Sequence, residues 1–195
     1  MMQPDHDADA HAMERLRDGD DLALNELMTR WQEPLTRFLI RYTGSEPDAL
    51  DLAQDAFVRV YEARARYDAR GNFSTWLYTI AGNLCRNHAR YKTRHPALSL
   101  DAALSPDGDT TLGEQLPSDA ATPAASADEM ERAAAVRDAI AALPDEQRTA
   151  TILFEYEDQS HAEIAAVLGC SAKAVETRLY RARQTLRERL ERWLK

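Results

Sequence analysis

Between Lys173 and Lys195 the chain carries eight Lys and Arg residues against three acids, although its net charge is −9. Guanidinium groups gathered on one helix have a definite chemistry: they neutralise phosphates and donate in pairs to the N7 and O6 edge of guanine. Spacing decides whether they act together. Val175, Leu179, Ala182, Leu186 and Leu190 recur at intervals of three and four and predict the buried stripe of a helix. Projected at 3.6 residues per turn, Lys173, Thr177, Tyr180, Arg181 and Gln184 face the other way. Upstream, Ser160 and Glu163 have the S-x-x-E spacing of a capping box, and Ile164, Val167 and Leu168 form the core side of a short helix. Gly169 supplies the turn and Ser171 can cap the next helix. Cap, short helix, glycine turn and a second helix with a cationic outer face make a helix-turn-helix. Helix pairs with solvated arginines are common in all-α proteins, but the four signals together favour DNA binding in a major groove.

A second concentration of cations, Arg86, Arg90, Lys92 and Arg94 with His88 and His95, ends a predicted helix that begins near Phe73. Such charges suit a helix C-terminus for electrostatic reasons alone. Asn72, Phe73, Trp76 and Tyr78 nearby add amides and aromatic faces, the groups that hold unstacked bases. Phe73 and Trp76 at helical spacing also suit a core, so both readings stand. The preceding segment, "DALDLAQDAFVRVYEARARYD", places Leu50, Ala53, Phe57 and Tyr61 on one stripe. Asp51, Asp55 and Arg59 lie opposite, with Leu52 and Val58 at the edges. That face is either solvated or a dock for a cationic protein surface. Catalytic patterns are thin. His161-Ala-Glu163 matches the H-x-E of zinc deaminases but lacks their P-C-x-x-C, leaving His161 as an exposed first-turn residue.

The elements that must position these groups are helical throughout. A run of 36 residues from Pro96 to Glu131 contains eight acids, no Lys or Arg, and Pro96, Pro106, Pro117 and Pro123. It has no apolar periodicity and reads as a linker. The class expected is therefore all-α, with two small helical domains joined by a flexible acidic linker. The predicted boundaries are a disordered acidic N-terminus 1–12, a first domain 13–95, the linker 96–130 and a second domain 131–195. Pro144 separates an Ala-rich helix from "DEQRTATILFEYED". The acidic N-terminus has no apolar core of a signal peptide, and no apolar run reaches the length of a membrane span. Cys85 and Cys170 are then expected as reduced thiols of a cytoplasmic protein, without a zinc spacing or an assignable redox role.

From Met13 to Trp193 the chain resembles the extracytoplasmic-function (ECF, group IV) sigma factors of the sigma-70 family. "DALDLAQDAFVRVYEA…GNFSTWLYTIAGNLCRNHAR" resembles sigma region 2, and "ALPDEQRTATILFEYEDQSHAEIAAVLGCSAKAVETRLYRARQTLR" resembles region 4. The resemblance implies a transcription initiation factor, without enzymatic activity or cofactor, that carries core RNA polymerase to promoter DNA and assists strand opening in a stress or envelope response. Asp51, Gln54, Asp55 and Val58 correspond to the contacts on the β′ clamp, the β subunit being a further partner. Gly71, Asn72, Phe73, Trp76, Asn83, Arg86 and Arg90 correspond to residues that capture the minus-ten element. Lys173, Thr177, Arg178, Tyr180, Arg181 and Arg183 correspond to the minus-thirty-five contacts. An anti-sigma factor is an implied partner, and the linker is expected to run through the polymerase's nucleic-acid channels. Two departures bear on promoter choice: Asn87 stands where many members have Asp, and Glu176 where many have a cation. The alternatives are a stand-alone helix-turn-helix regulator and, behind it, a sigma mimic that only occupies an anti-sigma factor.

Overall fold

The computed structural model describes residues 6–69, 71–95 and 123–193. Expectations about residues 1–5 and about the passage of the linker between 96 and 122 lie outside the described residues. Eight α-helices follow in order: α1 (His6–Arg17), α2 (Leu22–Thr43), α3 (Glu46–Ala63), α4 (Phe73–Arg94), α5 (Pro123–Ala141), α6 (Asp145–Glu155), α7 (His161–Leu168) and α8 (Ala172–Arg189). Among the described residues, short 3₁₀ turns also occur at Arg64–Arg66 and Glu191–Trp193. No strand occurs among the described residues, and the class is all-α.

Two boundaries differ from expectation. Residues 6–12 belong to α1 rather than to a disordered terminus. Asp9 is only 2% exposed; its carboxylate accepts the Trp31 indole N–H at 2.9 Å and pairs with Arg30 at 2.8 Å. A buried, paired acid fastens α1 to α2, so the acidic composition misled. Likewise α5 begins at Pro123, inside the expected linker, with proline in the first-turn position that its missing N–H tolerates.

The long α2 is the scaffold of the first module. Trp31, Leu35, Phe38, Leu39 and Tyr42 line its buried face, and this burial carries the helix past Pro34, where the bond to the Arg30 carbonyl cannot form. Gly44, at φ +71°, ends it in the left-handed conformation that suits glycine, its N–H donating to the Ile40 carbonyl at 2.8 Å. Ser45 then caps α3 through Asp48 N–H. The buried stripe of α3 is Ala49, Leu52, Ala53, Ala56, Phe57 and Val60. It is rotated from the predicted one: Leu52 is inside, Leu50 is 44% exposed and Tyr61 is half-buried. Three small alanines gave the pattern too little contrast to fix its phase. In α4, Phe73, Leu77 and Leu84 are buried as expected, joined by Tyr78, Ala81 and Cys85, while Ile80 is half-buried. Burial pushes the Cys85 thiol up to about 12, so it stays protonated and unreactive at neutral pH.

In the second module Thr149, Ile152 and Leu153 of α6, Ile164 and Val167 of α7, and Val175, Leu179 and Ala182 of α8 share a core. Leu168 and Leu186 are half-buried at its edge. The modules are not held apart. One continuous cluster of buried residues runs from Ala12 to Leu179, and α5 and α6 pack on α2 while α7 packs on α4.

Candidate nucleic-acid and polymerase interface

The helix-turn-helix follows from local chemistry. Ser160 Oγ accepts from Glu163 N–H, and Glu163 returns by accepting from Ser160 N–H at 2.8 Å, closing the predicted capping box. Gly169 sits at φ +62°, and Ser171 caps α8 through Ala174 N–H at 3.2 Å. Burial alone would raise the Glu163 carboxyl. Hydrogen bonds from Ser160, through hydroxyl and amide, and from Asn72 hold it below the ordinary range. Ser160→Ala should cost about 1 kcal/mol, read as a lowered denaturant midpoint with unchanged slope. His161 is not simply exposed: its ring stacks on Phe154 at 5.2 Å between centroids.

With the stripe of Val175, Leu179 and Ala182 turned inward, Lys173, Thr177, Tyr180, Arg181 and Gln184 are all exposed, as the projection predicted. Tyr180 is 63% exposed, a large ring standing in solvent. Arg178 and Arg183, carried over by resemblance alone, turn toward α6. Arg178 pairs with Glu146 at 2.6 Å, and Arg183 pairs with Glu155 at 3.1 Å while lying over the Phe154 ring. They stand apart from the outward set. Lys173 and Glu176 form an ion pair at 2.5 Å, so the departure at 176 tempers the first cation of the helix.

In the first module the loop before α4 is anchored from below. The Tyr67 hydroxyl donates to the Gly71 carbonyl at 3.0 Å, and its ring lies 5.1 Å from Trp76 and 6.2 Å from Phe73. Phe73 is 1% exposed and packs against Trp31 at 5.8 Å. Of the two readings left open for it, core is the correct one, and its side chain offers no face to a base in this conformation. Trp76 is half-buried; Gly71 and Asn72 are exposed. Farther along α4, Asn83 and Arg90 are exposed and Arg86 is half-buried, its guanidinium donating to Asn83 Oδ1 at 2.6 Å. Trp76, Asn83 and Arg90 follow at intervals of seven, one stripe about 21 Å long at 1.5 Å per residue. Lys92 and His88 both reach Asp48, fixing the end of α4 to the start of α3.

On α3, Asp51, Gln54, Asp55, Val58 and Arg59 are exposed together, with Val58 at 55% and Leu50 beside them. Carboxylates flanked by exposed apolar carbon make a surface suited to a basic, partly apolar partner. Sequence reasoning missed a different set: Arg41, Tyr42, Arg148 and Glu157, which join the modules. Their signal is only three-dimensional.

The fold and these surfaces define a two-module helical DNA-binding protein whose helix-turn-helix lies at its C-terminal end. Residues 27–95 match the Sigma-70 region 2 family model, and residues 133–186 match Sigma-70, region 4. The chain is 32% identical to the RNA polymerase sigma-H factor of Pseudomonas aeruginosa, over 94% of each chain. It is 30% identical to the ECF RNA polymerase sigma factor SigW of Bacillus subtilis, over 91% of this chain and 94% of that one. Identity to the ECF RNA polymerase sigma-E factor of Escherichia coli is 32%, over 92% of each. Among solved structures, CnrH in complex with the cytosolic domain of CnrY superposes with a TM-score of 0.69 at 26% identity, over 94% of this chain and 97% of that one. The chain belongs to the ECF RNA polymerase sigma factors of the sigma-70 family, proteins of transcription initiation rather than enzymes. The stand-alone regulator is set aside by the region 2 match over residues 27–95.

Proposed function

We propose that the exposed face of α3 carrying Asp51, Gln54, Asp55 and Val58 docks on the β′ clamp of core polymerase. The α4 stripe of Trp76, Asn83 and Arg90, with Arg86 and the Gly71–Asn72 loop, captures unstacked bases and phosphates of the minus-ten element. Lys173, Thr177, Tyr180 and Arg181 enter the minus-thirty-five major groove. The observation carrying this reading is the clean division of α8 into a buried apolar stripe and an exposed polar one. Arg181 has the reach and geometry to donate in pairs to a guanine edge. Phe73 acts by holding the loop, and Arg178 and Arg183 by holding α8 against α6.

A cytoplasmic location is part of this proposal. No helix among the described residues is long and apolar enough to cross a membrane. A protein anti-sigma factor is the proposed regulator, supported by the likeness to CnrH in its complex with CnrY. Run-off transcription on fragmented genomic DNA, with core polymerase from the source bacterium, tests the whole reading. New RNA 5′ ends that share a two-part upstream motif are expected only when the protein is present. Arg181→Ala should relax the upstream half at one position, by about 1–3 kcal/mol of discrimination. Asn83→Ala should relax the downstream half. Core binding without any new start would leave only a sigma mimic.

A further inference from the structure

The first two turns of α8 present a hydrogen-bond donor and an acceptor held side by side. Lys173 and Glu176, three residues apart on the helix, meet at 2.5 Å, and their side chains stay 83% and 46% exposed. Among the described residues each is the other's only ion-pair partner. Their hydrogen bond draws the Lys173 ammonium up and the Glu176 carboxyl down from their ordinary ranges, so both stay charged at neutral pH. The next polar group on this face is engaged differently. The Thr177 hydroxyl donates to the Lys173 carbonyl at 3.0 Å, so its proton is not offered to a ligand. Ser171 caps α8 through Ala174 N–H and fixes the first turn that carries the pair.

Helix-turn-helix proteins contact base edges with N-terminal residues of the second helix. A lone carboxylate there weakens binding because it faces phosphates. Paired with Lys173 it leaves no net charge, so the couple adds little to phosphate binding. What it can carry is sequence. In the major groove a G·C pair shows, in order, two acceptors, guanine N7 and O6, and one donor, cytosine N4. An ammonium over the first two and a carboxylate beside the third match every group. The spacing agrees. O6 and N4 are hydrogen-bonded to each other in the base pair, at about 2.9 Å, close to the 2.5 Å between Lys173 Nζ and Glu176 Oε2. C·G and A·T reverse the order, setting the ammonium against an amino group and the carboxylate against a carbonyl. T·A keeps the two central groups but puts a methyl where guanine has N7, and adenine N7 near the carboxylate.

We propose that Lys173 and Glu176 act as one unit that selects a G·C pair, in one strand sense, at a single position of the minus-thirty-five element, with Glu176 accepting from cytosine N4. This rests on the placement of α8 in that groove proposed above, and adds to it the residue that sets the orientation of one base pair.

The test uses the full chain bound to core polymerase, on a promoter found by the run-off assay and resynthesised with its upstream half randomised. Sequencing the templates that yield transcripts gives the preference at each position. The wild type should favour G·C over C·G at one position by about 10- to 100-fold, with T·A intermediate. Glu176→Ala should lower that ratio by about fivefold or more and leave the other positions unchanged. Lys173→Glu combined with Glu176→Lys exchanges donor and acceptor at constant net charge and should invert the preference to C·G at the same position. If the exchanged variant loses helicity by circular dichroism or starts no transcripts, Glu176→Ala decides alone. An upstream half in which no position separates G·C from C·G, or a Glu176→Ala pattern identical to the wild type, overturns the proposal. If Arg181→Ala still relaxes the upstream half in that case, the placement of α8 stands without it. A wild type indifferent to the whole upstream half overturns both.

Discussion

Reversing two charges on α3, Asp51→Arg with Asp55→Arg, is expected to abolish association with core polymerase while leaving the fold untouched. Both carboxylates are exposed and have no ion-pair or hydrogen-bond partner among the described residues. Replacing them removes no native interaction, and surface changes of this kind move stability by about 0.5 kcal/mol or less. At an interface the effect is different. Juxtaposing like charges costs several kcal/mol, so each reversal replaces an attraction with a repulsion and the pair should weaken binding by at least about a hundredfold. Val58, 55% exposed beside Asp55 and Arg59, is the apolar carbon that the proposed dock would bury. The measurement is fluorescence anisotropy of labelled protein titrated with core polymerase at fixed salt, beside a thermal melt. An unchanged dissociation constant with an unchanged melt would remove α3 from the docking surface.

That surface shows what the sequence displays and what it hides. Exposed charges at positions 51 and 55 were legible because carboxylates seldom point into a core without partners. Which apolar residues lay opposite was harder, because Ala49, Ala53 and Ala56 leave little contrast between two adjacent phases. The packing of α2 and α4 chose Leu52 over Leu50, and that choice is tertiary. In α7 and α8 the reverse holds. Their caps, glycine turn and strongly apolar stripe are local, so outward residues could be named from spacing alone. Resemblance added Arg178 and Arg183 without regard to phase, and both pair with acids of α6. Asp9 and the long α2 escaped notice for one reason between them. An acid that is buried because Trp31 and Arg30 await it 22 and 21 residues later leaves no trace in local composition.

Trp31 carries the heaviest structural consequence. Trp31→Ala is expected to cost about 3–5 kcal/mol, the range for removing a large buried aromatic. The side chain is 4% exposed, and its ring meets Phe73 at 5.8 Å and Tyr78 at 6.2 Å in tilted and edge-on contacts. Its indole N–H also satisfies the buried Asp9 carboxylate. Truncation therefore opens a cavity and takes away one of the donors that a buried acid depends on, two costs that add. The loss should not stay within the core. Phe73 is the first residue of α4 and packs on Tyr67, whose hydroxyl holds the Gly71 carbonyl. Loosening Phe73 loosens the loop that presents Asn72. Trp31→Phe keeps much of the packing but not the hydrogen bond, so it should cost about 1–3 kcal/mol. Equilibrium urea unfolding separates the two variants, and hydrogen exchange at residues 71–76 reports the loop. If Trp31→Ala left exchange there unchanged while lowering global stability, the loop would be held by Tyr67 and the Asn72–Glu163 hydrogen bond, and α2 would have no part in shaping the proposed minus-ten surface.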